Sequence, residues 1–109
     1  MVKRSDVKIT VLKRFNPSDV FKVSPVTHTP SPSTGKFEAC ERVRDSQEFI
    51  VGEDGGMPEG FCTGAWASIY PNVRVLSFGG NHPYIKERGV TVTCCTDGLR
   101  PVIFKLERV

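Results

Sequence analysis

Apolar and polar positions alternate cleanly over Val7-Lys8-Ile9-Thr10-Val11, with Val7, Ile9 and Val11 on one side. That is the period of a half-buried strand, continuing through Leu12 towards Phe15. Farther along, the period changes. Phe61, Ala65, Ile69 and Val73 recur every four residues, with Trp66, Tyr70 and Leu76 beside them. This is a broad stripe at helical spacing, so one face should be buried. Pro58 and Gly60 punctuate the chain before the stripe and Gly79-Gly80 after it, which predicts a helix from about residue 62 to 78. Pro71 falls inside it. There it removes a backbone donor and crowds the preceding turn, so a kink or break is expected near that residue, or a second helix opening on it.

The remaining segments follow the same logic. Asn16-Pro17-Ser18-Asp19-Val20-Phe21 reads as a single capped turn, with Asn16 as cap and Pro17 at the first helical position. Residues 24–36 carry Pro25, Pro30 and Pro32 among many hydroxyls and read as a flexible Pro/Thr-rich surface loop, with His28 exposed on it. Gln47–Val51 is a second strand. Val90–Cys95 and Pro101–Leu106 flank Thr96-Asp97-Gly98-Leu99-Arg100, a hairpin with a short glycine-containing loop. Strand alternation puts Val90, Val92 and Cys94 on the core side and Thr91, Thr93 and Cys95 on the polar side. The order β, long loop, β, α, β, β predicts an α+β fold. It is a small, mostly antiparallel sheet of about four strands, or an open barrel, packed on one main helix.

Composition sharpens this picture by exclusion. At 109 residues the chain is expected to form a single domain over 1–109. Its 39% hydrophobic and 25% charged content is that of an ordinary globular protein. No apolar run reaches the length of a membrane span, and Met1-Val2-Lys3-Arg4-Ser5-Asp6 does not read as a signal peptide, so a cytoplasmic protein without a membrane partner is expected. The net charge of +3 is mild. Lys3, Arg4, Lys8, Lys13 and Arg14 gather near the start, but no basic stripe interleaves with aromatics, so a nucleic-acid partner is not expected.

The candidate chemistry lies in four cysteines. Cys62 stands at the first turn of the predicted helix, where unpaired N–H groups and the positive end of the dipole favour a thiolate over a thiol. The bland alternative is a small buried hydrophobe, which is what a free cysteine most often is. The sharp hypothesis joins Cys62 with Cys94, Cys95, Cys40 and His82 in a site for Zn²⁺ or iron, which soft thiolates and an imidazole suit. The spacing 40, 62, 94, 95 matches no zinc motif and contains no C-x-x-C pair. Asp97 and Arg100 could form an acid or anion clamp beside Cys95; turn chemistry with a surface ion pair is the favoured reading. There is no phosphate loop, G-x-S-x-G, H-E-x-x-H or dinucleotide fingerprint. The reading therefore leans away from an enzyme and from a nucleotide cofactor.

Pro58-Glu59-Gly60-Phe61-Cys62 with Ala65-Trp66, then Gly79-Gly80, then Cys94-Cys95-Thr96-Asp97-Gly98-Leu99-Arg100-Pro101-Val102 running into Phe104-Lys105-Leu106-Glu107-Arg108 form a specific set. Together they resemble a small family of uncharacterised bacterial and archaeal proteins, marked by an E-G-F-C turn and a C-C-x-D-G-L-R-P hairpin. The resemblance covers nearly all of 7–109 and implies that Cys62 and Cys94-Cys95 recur. It carries over no catalytic role. Where the look-alikes have an aspartate and a bulky aromatic after the double glycine, this chain has Asn81 and His82.

Three functional readings follow. The leading one is a cysteine-centred site binding a transition metal. In a second, the protein is a non-catalytic interaction module: Trp66, Tyr70, Phe78 and Tyr84 form a core or a homo-oligomer interface and the cysteines only pack. In a third it is a thiol-redox protein whose cysteines cycle.

Overall fold

The computed structural model describes residues 3–109. Its elements are β1 (Val7–Arg14), α1 (Pro17–Val20), β2 (Glu48–Val51), α2 (Thr63–Ser77), β3 (Val90–Cys94) and β4 (Val102–Arg108). The four strands make one open, wholly antiparallel sheet in the order β2-β1-β4-β3. Helix α2 covers one face, which makes the α+β arrangement a two-layer one. The expected loop at 24–36 is part of a longer irregular stretch from Phe21 to Gln47.

The core is what the two periodicities dictate. Val7, Ile9 and Val11 of β1, Phe49 and Val51 of β2, and Val102, Phe104 and Leu106 of β4 are buried against Ala65, Ile69, Val73 and Leu76 of α2. Phe61, just before the helix, meets Phe49 edge-on at 4.9 Å and Phe104 at 5.4 Å between ring centroids. The opposite face of the sheet is mixed, with Ile50 and Val92 exposed among charged side chains. There Lys8 lies 3.6 Å from Glu48 and 3.7 Å from Glu107, its partner on β4.

Two expectations are corrected. Helix α2 is one element through Pro71, with neither a break nor a second helix opening there. Both Pro71 and Ala67, whose carbonyl loses its donor, are exposed, so water can replace the missing hydrogen bond. The second correction concerns β3, whose faces are the reverse of those expected. Residues directly opposite in an antiparallel pair share a face. Thr91 faces Leu106, and Thr93 faces Phe104, both of them core residues of β4. The register therefore carries Thr91 to the helix side, where it is fully buried, and leaves Val92 half-exposed and Cys94 exposed. Threonine and valine are alike in shape, so the alternation of the two along the strand was a poor guide to burial.

One irregularity matters for everything at the lower end of the sheet. The β1–β4 register runs Val11 to Phe104 and then Lys13 to Ile103, with Leu12 as the extra residue of a β-bulge. A bulge shifts the alternation by one. Lys8 and Thr10 point away from the helix, but Arg14, paired with the buried Val102, points towards the helix side. At the other end Arg108 closes the C-terminus of α2. Its Nη1 donates to the carbonyls of Leu76 (3.1 Å) and Gly80 (2.6 Å), and its Nη2 to Asn81 Oδ1 (3.0 Å).

The Thr91 hydroxyl is buried without a hydrogen-bond partner among the described residues. An unpaired buried hydroxyl costs about 1–3 kcal/mol. Thr91→Val keeps the shape and removes that cost, so urea unfolding should show a gain of about 1 kcal/mol. A loss of stability would mean that the hydroxyl is satisfied.

Candidate functional site

Three chain segments converge beneath the lower end of the sheet, each carrying one cysteine. The first is the stretch before β2. Arg14, turned inward by the bulge, donates from Nη1 to the Cys40 carbonyl at 2.8 Å and from Nε to Asp45 Oδ1 at 3.0 Å. Asn16 Oδ1 accepts the Ala39 N–H at 2.8 Å. Two side chains from β1 and its exit thus grip the backbone on either side of Cys40, and Val43 plugs the segment into the core.

The second segment is the entry to α2. Gly60 has a positive φ of 80°, a turn that glycine adopts without strain. It delivers Phe61 into the aromatic cluster and leaves Cys62 as the residue preceding the helix, its carbonyl accepting the Trp66 N–H at 2.9 Å. The Cys62 sulfur lies over the first helical turn, 3.9 Å from where a Cβ on Gly64 would stand.

The third segment is the turn after β3. Cys95 donates its N–H to the Val102 carbonyl at 3.1 Å, and its Sγ accepts the Val102 N–H at 3.3 Å. Asp97 Oδ1 accepts the N–H groups of Leu99 and Arg100 at 3.0 and 3.1 Å, and Oδ2 accepts from Arg100 Nε at 3.2 Å. Burial alone would raise the Asp97 pKa. The backbone donors of Leu99 and Arg100, with the Arg100 guanidinium, outweigh it and hold the carboxyl below its ordinary value.

Cys40, Cys62 and Cys95 line one cavity of about 150 Å³, together with Arg42, Asp97 and Arg100. All three cysteines are partly buried and unbridged, and they pack against the core. The other two residues expected in a common site lie elsewhere. Cys94 is exposed on the face of the sheet away from the helix, because neighbours on a strand point to opposite faces. His82 lies beyond the C-terminus of α2, its Nε2 3.2 Å from Asn72 Oδ1 and its ring against Tyr84. Among the described residues, no three His, Cys, Asp or Glu side chains form a group that could hold a metal ion.

Arg100 also fixes the loop over this cavity. Its guanidinium carbon lies 5.0 Å from the centroid of the Phe37 ring, and His28 stacks with that ring at 3.5 Å. Phe37 and Arg42 were not singled out from sequence, and His28, exposed as expected, was given no partner there; the only signal was the position of Arg42, two residues after Cys40. A larger cavity of about 450 Å³ adjoins on the far side of Arg100, walled by groups such as Arg14, Lys36, Glu41 and Asp45. It contains no sulfur, and most of its charges are already engaged. Arg14 pairs with Asp45, and the hydroxyls of Ser31 and Ser33 hold the Glu41 carboxyl below its ordinary range. A third cavity, of about 350 Å³, shares Cys40, Arg42 and Arg100 with the smallest and adds Glu41, but it is the smallest that three cysteines line.

Trp66, Tyr70 and Phe78 form a row along α2, with Arg74 reaching the Tyr70 hydroxyl at 3.4 Å and lying over the Phe78 ring, while Tyr84 stands apart. Trp66 packs between Phe61 and Tyr70, Phe78 is flanked by the guanidiniums of Arg4 and Arg74 at 4.6 and 5.1 Å, and Tyr84 stands out with His82. No helix among the described residues is long and apolar enough to cross a membrane. No family model, curated protein or solved structure matches the chain.

The Asp97 turn gives the site a pH dependence whose sign is fixed. A carboxyl with a depressed folded pKa stabilises above its unfolded value, about 3.9, and loses that contribution as pH falls through the folded one. Asp97→Asn should therefore be less stable than the parent at neutral pH. The difference should close as the pH drops below about 4. Denaturant midpoints measured from pH 7 to pH 2 check this; a constant difference across the range would refute the assignment.

Proposed function

We propose that the protein acts through thiol–disulfide chemistry at the cavity shared by Cys40, Cys62 and Cys95. One observation carries the reading: three free thiols from separate segments line a single small cavity. Two protein thiols closing to a disulfide release two protons and two electrons, and a partner disulfide takes these up as it becomes two thiols. Such exchange needs sulfurs that are close, accessible and held. Cys95 is held by the Val102 N–H, Cys40 by the grip of Arg14 and Asn16 on its backbone, and Cys62 by the start of α2.

The metal reading draws on the same sulfurs and makes the opposite forecast, so one experiment separates them. The protein is prepared as Cys94→Ser, which removes the exposed thiol that would otherwise form intermolecular disulfides. Mild oxidation should lower the intact mass by about 2 Da, reversibly with reductant, and peptide mapping should link two of Cys40, Cys62 and Cys95. A stoichiometric zinc or iron, retained on purification and shielding these thiols from alkylation, would contradict the redox reading in favour of a metal site. Absence of both, with a mass in solution that rises with concentration, would point to the interaction module.

A further inference from the structure

The walls of the thiol cavity carry an imbalance of charge. Arg42 and Arg100 are its cations, and Asp97 is its only carboxylate. That carboxylate is already engaged by the N–H groups of Leu99 and Arg100 and by Arg100 Nε. Arg100 therefore has one nitrogen committed, and its guanidinium is held in place by the Phe37 ring. Arg42 makes no ion pair among the described residues. Gly64 and Ala65, in the first turn of a helix of 15 residues, form part of the same wall, the end of a helix that favours negative charge. At about 150 Å³ the cavity admits one arm of a small molecule.

We infer that the thiol cavity takes low-molecular-weight disulfides bearing carboxylates, with Arg42 and Arg100 recognising the carboxylates while the sulfurs exchange. The inference rests on the thiol–disulfide reading above. One cavity thiol, as its thiolate, attacks a sulfur of the small disulfide R–S–S–R. A mixed disulfide forms and one R–S⁻ leaves. A second cavity thiol then gives its proton to water and attacks the protein sulfur of that mixed disulfide. The protein disulfide closes and the second R–S⁻ departs. In sum two protein thiols are oxidised and one small disulfide is reduced to two thiols. Arginine suits the recognition role because its planar donors match a carboxylate and keep their charge at every working pH.

The test uses the reduced Cys94→Ser protein and three disulfides of similar size: dithiodiglycolate, with two carboxylates; hydroxyethyl disulfide, which is neutral; and cystamine, with two ammoniums. Each rate is divided by that of the urea-unfolded chain, which removes the reagents' own reactivity. Dithiodiglycolate should react about tenfold faster than the neutral reagent, and cystamine slower. Added salt and Arg42→Gln should each shrink that advantage. Arg42 is exposed, so the variant is expected to keep the fold. Equal normalised rates, with the internal disulfide still forming, would overturn the inference about charge and leave the thiol reading intact. No internal disulfide with any reagent would overturn both.

Discussion

The pairing of β1 with β4, interrupted once at Leu12, is the constraint on which the candidate site depends. Above the bulge the pairing sets Val7, Ile9 and Val11 beside Leu106 and Phe104 and so makes the core. Below it the alternation is displaced by one residue, and a side chain that would have joined Lys8 and Thr10 on the face away from the helix turns inward. That side chain is Arg14. From there it holds the Cys40 carbonyl and Asp45 and pins an irregular stretch that makes few backbone hydrogen bonds of its own. The same inward turn brings Arg14 beside Asn16, whose side chain holds Ala39. The position of Cys40 follows from a register shift at Leu12, through an Arg14 that lies 26 residues earlier in the chain.

The other two cysteines are positioned by more local means, and the three mechanisms differ in strength. Cys62 is set by the aromatic anchor of Phe61 on one side and the first turn of α2 on the other. It moves only if the helix moves. Cys95 is set by the β3–β4 hairpin, where its N–H donates to the Val102 carbonyl and its sulfur accepts the Val102 N–H. Cys40 depends on side-chain hydrogen bonds at a partly exposed surface and on the Arg100–Phe37–His28 stack above. Two sulfurs are therefore set by secondary-structure elements and one by side-chain contacts to an irregular stretch.

The elements themselves were legible because hydrophobic period is a strong signal where a face is buried along its whole length. The stripe from Phe61 to Leu76 and the alternation of Val7, Ile9 and Val11 locate α2 and β1 almost to the residue. Pro71 misled because the cost of a missing helix hydrogen bond is smaller on an exposed face, and both Pro71 and Ala67 are exposed. The face of β3 misled because Val and Thr differ little in shape, and the deciding information was the register with β4, a long-range property. For the site, Cys62 and Cys95 stand where the helix start and the hairpin mouth were read. Cys94 and His82 do not join them. The bulge, the grip on Cys40 and the contribution of Arg42 were not legible, because each depends on contacts between residues distant in sequence.

The central claim is that the sulfurs of Cys40, Cys62 and Cys95 share one cavity closely enough to react together. A trivalent arsenical tests it without relying on any redox potential, because arsenic binds tightly only where two thiols can reach the same atom. Phenylarsine oxide is titrated into the reduced Cys94→Ser protein, and the complex is then alkylated and mapped by mass spectrometry. The account predicts one arsenical per chain, with two of the three cavity cysteines protected from alkylation. An arsenical that does not bind, with all three cysteines alkylated independently, would contradict it.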